Sequence, residues 1–318
     1  MTLHEDEIPA DEPLVRSLLK AQRPEWAGLP LSPAGAGTDN TMYRLGADLL
    51  VRLPRTAGNA QSVRKEQEWL PRLAPRFSWP IPEPVHAGTP TGDFPLLWSV
   101  YRWIDGDVAG PETVRDWAAF GADLAAVVRE LHRVDLMGAT RADGLNWYRG
   151  GGLGPCDQWV SGCFDECRAL VGSEPGAELD AEPGAEPDAE LDIDALEGMW
   201  RAALALPEST GPHVWLHGDL KPTNLLVRDG ELHAVIDFGG LSIGLPDAEH
   251  SPLWDLPPQA RRAYWDALNL DDATWARARA WAIAVGVSGI AYYWRTFPAF
   301  VAECRARLEA ILADAAAR

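Results

Sequence analysis

A chain of 318 residues, 47% apolar and 24% charged, has room for two lobes around a buried core and the composition of a soluble globular protein. Its formal charge of −19 argues against nucleic acid, whose phosphates are bound through Lys and Arg, and is compatible with a cationic small molecule. The amino terminus MTLHEDEIPADEP has neither the basic nor the apolar region of a signal peptide, and the apolar segment Trp281 to Trp294 is too short to span a bilayer, so a cytoplasmic protein with no membrane partner is expected.

In chain order, a helix is predicted around Pro13 to Ala21, followed by a Pro/Gly-rich stretch. Thr41 to Leu45 and Leu49 to Leu53 are β-prone runs separated by Gly46-Ala-Asp48, the pattern of a hairpin. Asn59 to Leu73 places Val63, Trp69, Leu70 and Leu73 on related helical faces. Val85 to Gly88 and Leu96 to Ile104 are two more strands. A small sheet with one helix packed across it is expected, ending at Asp105-Gly106-Asp107. The predicted lobes are therefore residues 1–104 and residues 105–318.

The second lobe is predicted to be mostly helical, with segments at Thr113–Val134, Asp157–Val171, Asp194–Leu206, Pro258–Leu268, Ala273–Trp294 and Ala299–Ala316. Between Glu174 and Asp194 stand nine acids and no base, leaving about −10 for the remaining chain, and a solvated, disordered insert over 172–193 is expected. Cys163 and Cys167 have helical i,i+4 spacing, but no second pair completes a zinc site, so reduced thiols are expected.

Val214 to Phe238 breaks the helical period with three short apolar runs and carries the densest chemistry. Trp215-Leu-His-Gly-Asp-Leu-Lys-Pro-Thr-Asn-Leu-Leu-Val227 is followed by Ala234-Val-Ile-Asp-Phe-Gly239. The Asp229-Gly230 turn joins a strand that carries Asn224 to one that delivers Asp237. Phosphoryl transfer requires a carboxylate near the attacking hydroxyl and oxygen ligands for Mg²⁺, which neutralises the triphosphate. Asn224 and Asp237 converge as metal ligands in this arrangement and leave Asp219 as base. His213 and His217 lie on a strand-like run, which excludes a helical metal pair.

His217-Gly-Asp-Leu-Lys-Pro-Thr-Asn224 with Ile236-Asp-Phe-Gly239 resembles the catalytic and metal-binding segments of the aminoglycoside phosphotransferase family. That resemblance implies an α+β, bilobal protein-kinase-like fold: a small antiparallel-sheet lobe that binds nucleotide and a larger, mostly helical lobe. It implies Asp219 as catalytic base, His217 as organiser of its loop, Lys221 as a γ-phosphate contact, and Asn224 and Asp237 as Mg²⁺ ligands. Ser32-Pro-Ala-Gly-Ala-Gly-Thr-Asp-Asn40 resembles the nucleotide-covering loop, with Gly35 and Gly37 letting backbone amides approach phosphates. Arg52 takes the place of the kinase lysine, with Glu66 as its carboxylate partner. Trp98 to Trp103, including Ser99 and Tyr101, is the expected hinge against the purine of ATP or GTP.

One segment departs from the family pattern. Gly244-Leu-Pro-Asp-Ala-Glu-His250 stands where the family has Gly-Asp-Pro-Ala-x-Asp-Leu, so Glu249 replaces the Asp that anchors the catalytic loop. The expected function is Mg²⁺-dependent transfer of the γ-phosphoryl to a hydroxyl of an antibiotic such as an aminoglycoside or macrolide, with an aminoglycoside-like cation attracted by acidic groups. The same residues also suit a metabolic kinase for a sugar, amino alcohol or nucleoside-like metabolite. The altered 245–250 segment leaves open a catalytically silent nucleotide-binding protein. A protein kinase is disfavoured, because no Ala-Pro-Glu segment follows Asp237-Phe-Gly239.

Overall fold

The computed structural model describes residues 6–171 and 191–317. Helix α1 (Glu12–Gln22) starts at Asp11, whose carboxylate accepts from Leu14 N at 2.9 Å. Val15, Leu18 and Leu19 recur at helical spacing, and all three are buried against a sheet.

That sheet has five antiparallel strands: β1 (Leu31–Ala36), β2 (Asn40–Leu45), β3 (Leu49–Pro54), β4 (Pro84–Gly88) and β5 (Trp98–Arg102), in the order β1-β2-β3-β5-β4. Strand alternation divides its two faces. Val51, Leu53, Trp98 and Val100 pack with α1, whereas Tyr101 joins the core on the side of α2 (Ala60–Leu73). The sheet thus carries a helix on each face, not the one expected. Strand β1 was concealed in sequence by Pro33 and Gly35, both turn residues. It lies at the sheet edge, where Pro33 has no ladder bond to forfeit, and a register shift between Pro33 and Ala36 takes up Gly35 at φ 89°.

Among the described residues, six helices build the second lobe: α3 (Trp117–Arg133), α4 (Asp157–Val171), α5 (Ile193–Leu204), α6 (Pro258–Leu268), α7 (Asp272–Tyr293) and α8 (Pro298–Ala316). Helix α3 begins later than its apolar pattern suggests. Asp116 caps it by accepting from Ala118 N and Ala119 N, while the Thr113 hydroxyl is spent on Gly110 N and Val108 O. Helix α7 is apolar around most of its circumference because α4, α5, α8 and the 3₁₀ segment Pro246–Asp255 surround it. Among the described residues no helix is long and apolar enough to cross a membrane.

Of the insert expected over 172–193, residues 172–190 lie outside the described residues. Leu191 and Ile193 are buried in the core and Asp192 caps α5, accepting from Ala195 N at 2.8 Å, so the last three residues of that run belong to the folded lobe.

Two small sheets frame the loops of interest. Strand β6 (Asp107–Val108) pairs with β8 (Leu225–Arg228), which pairs with β9 (Glu231–Val235); β7 (Val214–Leu216) pairs with β10 (Ser242–Gly244). The β8–β9 turn is Asp229-Gly230, with φ 54° and 82°, the left-handed pair that a two-residue hairpin requires. Residues 217–224 then run from β7 to β8, and residues 236–241 from β9 to β10.

Candidate active site

His217 leaves β7 into a fully buried position. Its Nδ1 accepts from Asp219 N at 3.1 Å, so Nε2 carries the proton and donates to Ile236 O at 2.9 Å. Burial pushes the imidazole below its usual range, and Phe238 packs edge-on at 4.5 Å. The neutral ring therefore ties the Asp219 loop to the strand end that delivers Asp237, which is an organising task.

Asn224 closes the 3₁₀ turn Pro222–Asn224. Its Nδ2 donates to Asp219 O at 2.8 Å and to Asp219 Oδ2 at 3.2 Å, and its own carbonyl accepts from Ile236 N at 2.9 Å. These bonds bring Asp219, Asn224 and Asp237 together. Asp237 adopts φ 62°, a left-handed conformation that Asp tolerates better than most residues, and Arg52 Nη2 donates to its Oδ1. Because the Asn224 amide nitrogen faces Asp219, its oxygen is not spent on that carboxylate and would be the atom offered to a cation. Two protein oxygens suit Mg²⁺, which keeps waters and substrate phosphates as its other ligands. The fit carries one condition: a metal at Asp237 shares that carboxylate with Arg52.

Across the cleft, Arg52 Nη1 donates to Glu66 Oε1 (2.8 Å) and Oε2 (3.0 Å), and the Tyr101 hydroxyl donates to Oε2 (2.6 Å). With its amide oxygen turned toward Arg52, Asn40 accepts from Nε (3.1 Å) and Nη2 (2.9 Å). Burial pushes the Glu66 carboxyl upward, while Asp237 and Glu66 overcome burial at Arg52 and keep it charged. Glu68, by contrast, is exposed and pairs with Arg72 at 3.5 Å. Glu66→Ala strands part of a buried guanidinium, and we expect a loss of about 3 kcal/mol in urea unfolding, at the lower end for broken buried pairs because Arg52 keeps Asp237. An unchanged midpoint would contradict this account of the pair.

The remaining sequence candidates fall less centrally. The Ser99 hydroxyl accepts from Gln67 Nε2 at 3.0 Å, and Ser99 and Tyr101 both direct their side chains toward α2; a hinge role would fall to the backbone. Gly35 and Gly37 lie in the β1–β2 hairpin with open space where a Cβ would stand. Lys221 holds its ammonium over the Phe300 ring, 5.3 Å from the centroid, on the side of α8.

Three residues escaped sequence reasoning as participants or contacts, and a fourth had been named only by its place in the family pattern. Lys65, next to Glu66, donates from Nζ to Gly239 O (3.0 Å) and Leu241 O (2.9 Å), tying α2 to the loop after Asp237; burial pushes its pKa down to about 8. Arg149 donates from Nη1 to Asp219 Oδ1 at 3.0 Å. Burial alone would raise the Asp219 carboxyl, but Arg149 and Lys221 outweigh it and hold the group below its ordinary range. Trp147 packs against the glycines of both loops. Glu249, named earlier at the place of the Asp that anchors this loop, accepts from His217 N (2.8 Å) through Oε1 and from Gly218 N (2.7 Å) through Oε2. Its longer side chain therefore spans to the catalytic loop backbone. The signals for Arg149 and Trp147 were absent locally, since a loop some seventy residues upstream carries no mark of where it docks.

A family model described as the phosphotransferase enzyme family matches residues 30–281, well over half of the chain. The chain belongs to this family. Membership makes it a phosphotransferase. Its fold is also that of solved structures. The GDP complex of wild-type aminoglycoside 2'-phosphotransferase-IIIa is similar at TM-score 0.71 and 19% identity, over 96% of this chain and 100% of that one. Macrolide 2'-phosphotransferase type I is similar at TM-score 0.62 and 17% identity, over 94% and 98%. The macrolide 2'-phosphotransferase apoenzyme from Brachybacterium faecium is similar at TM-score 0.54 and 22% identity, over 95% and 98%. Comparison with curated proteins by sequence finds no match. The family phosphotransferase fold thus combines the antiparallel sheet lobe and helical lobe anticipated from its motifs.

Proposed function

We propose that this phosphotransferase moves the γ-phosphoryl of ATP or GTP to a hydroxyl of an antibiotic-like small molecule, with Asp219 as base and Mg²⁺ held by Asn224 and Asp237. The observation that carries the reading is the convergence of Asp219, Asn224 and Asp237 under Arg52 and its partner Glu66. Bound Mg²⁺ would neutralise phosphate charge. The chain's own groups do the remaining work: Asp219 orients the acceptor hydroxyl and takes its proton, Arg52 offers a cation at the phosphate side, and Glu249 and His217 hold the loop still.

The surroundings of Asp219 favour one acceptor class over the other. Arg149 and Lys221 are the cations nearest the base, and Asp255 is already engaged by Arg307 at 2.6 and 2.7 Å. Tyr148 (36% exposed), whose hydroxyl bonds Arg149, meets Trp159 (43% exposed) at 5.6 Å. An aromatic surface beside fixed cations suits an acceptor with an apolar body, such as a macrolide, better than a polycation, which needs free carboxylates. Purified protein with Mg²⁺ and ATP or GTP, offered macrolides and aminoglycosides, is expected to add one phosphate by mass and to show at least about tenfold higher kcat/KM on the macrolides, a difference of one charge-pairing interaction. Equal or reversed preference would remove the acceptor assignment. Nucleotide binding without turnover on any acceptor would remove the catalytic one.

A further inference from the structure

The loop between α3 and α4 is stapled to β10 and the residue after it: Ile243 N donates to Leu145 O at 2.9 Å, and Leu245 N donates to Gly150 O at 3.0 Å. Arg141 Nη1 adds a bond to Gly150 O at 2.7 Å. Between these staples the Trp147 indole lies against Gly218 and Gly240, where an added Cβ would stand 2.4 and 2.5 Å from its Cζ3. One ring thereby packs on both the catalytic loop and the loop after Asp237. Arg149 stacks over that ring at 4.5 Å and donates from Nε to the Tyr148 hydroxyl at 3.0 Å. Its Nη1 donates to Gly218 O at 2.6 Å and Asp219 Oδ1 at 3.0 Å.

We propose that Arg149 is a positioning residue for phosphoryl transfer: a preorganised cation that holds the Asp219 carboxylate by Oδ1 while Asn224 holds it by Oδ2, so that the base is aimed before the acceptor arrives. The proposal rests on the reading of Asp219 as base. Each carboxylate oxygen keeps a lone pair beyond these bonds, so the acceptor hydroxyl still has a place to donate. A loose transition state asks little basicity of this group and much of its orientation, so the weakening of the base by a cation costs less than free rotation would. Arg suits the task where Lys does not, because a rigid planar fork stacks on Trp147 while reaching two oxygens.

The charged and titratable groups facing Asp219 are Arg149, Lys221 and His217, with Arg307 of α8, Glu249 and Asp39 of the β1–β2 turn acting on it at longer range. Among these described groups, Arg149 donates directly to the carboxylate. Arg149→Ala, Arg149→Lys and Asp219→Ala are to be assayed with Mg²⁺, nucleotide and either the best acceptor or water as acceptor, with urea melts to verify folding. Arg149→Ala is expected to lower kcat by about 10- to 100-fold, the scale of a small misplacement, with nucleotide KM unchanged. It should also move the acid limb of kcat/KM upward, toward the ordinary carboxylate range, and regain rate in guanidinium at concentrations below denaturation. Arg149→Lys should fall between Arg149→Ala and the parent.

If Asp219→Ala is inactive while Arg149→Ala keeps the parental kcat and acid limb, this inference falls and the base assignment stands. If Asp219→Ala keeps its rate, the base assignment fails and takes the inference with it. A folded Arg149→Ala whose rate loss guanidinium leaves unrelieved, with the acid limb unmoved, would make Arg149 merely structural and also overturn the proposal.

Discussion

Asp219→Ala is expected to lower kcat by about 10³-fold, within the range that a positioned acid–base group supplies, while nucleotide affinity stays within about twofold. The separation follows from geometry. The Asp219 carboxylate is engaged by Arg149 and Asn224, whereas Arg52, the candidate phosphate-side cation, is held by Glu66, Asp237 and Asn40. Because Arg149 and Lys221 keep Asp219 below the ordinary carboxylate range, it is already ionised across pH 5 to 8. An acid-side fall of the parental rate within that window would therefore belong to another group. Steady-state kinetics with product mass, and nucleotide binding by calorimetry, check both halves. A variant that retained kcat within tenfold would leave Asp219 without a proton-transfer role.

Glu249 carries the second large effect. Its two oxygens receive the buried amides of His217 and Gly218, and Glu249 itself is 2% exposed. Glu249→Ala leaves both amides without that acceptor at about 1–3 kcal/mol each, so a loss of about 4 kcal/mol in urea unfolding is expected, along with loss of activity as the catalytic loop loosens. Glu249→Asp would move the sequence toward the family pattern but shorten a side chain that now spans the gap at 2.7–2.8 Å, so it too is expected to lower kcat. A parental rate in Glu249→Asp would show that the loop follows the shorter side chain.

The same group sets a pH dependence of stability. Burial pushes the Glu249 carboxyl up to about 7 against the opposing pull of the two amides and Arg149. The folded chain thus keeps a proton that the unfolded chain releases near its ordinary value of 4.5. This contribution is complete below about pH 4.5 and is lost as pH rises toward 7, amounting to about 3 kcal/mol. Urea unfolding at pH 5 and pH 7.5 should therefore show a decline with pH in the parent that is missing in Glu249→Gln. Parallel declines in the two proteins would place the titration elsewhere.

What the sequence made legible was local. Period-3.6 and period-2 patterns located α2, α4, α6 and the β2–β3 hairpin within a residue or so, because each buries one face of a regular element. The second helix face on the sheet was missed, since α1 shows an apolar stripe without showing which sheet face receives it. Strand β1 was missed because Pro33 and Gly35 are turn residues tolerated at an edge.

The residues proposed for the reaction were legible for a similar reason. Asp219, Asn224 and Asp237 sit within nineteen positions on a loop and a hairpin, so short-range geometry brings them together. Their acceptor-side and structural partners are distant in sequence: Arg149 approaches from seventy residues upstream, and Glu249 returns from thirty downstream. No single segment specifies that Trp147 should fit against Gly218 and Gly240, or that a Glu one methylene longer should still reach two amides. Sequence alone determined which residue types stand together on the two loops, and so which atoms are proposed to bind metal and accept a proton, because residue chemistry and short loops decide that. Only the tertiary structure decided how those atoms are held, because long-range packing sets the distance between a side chain and its partner.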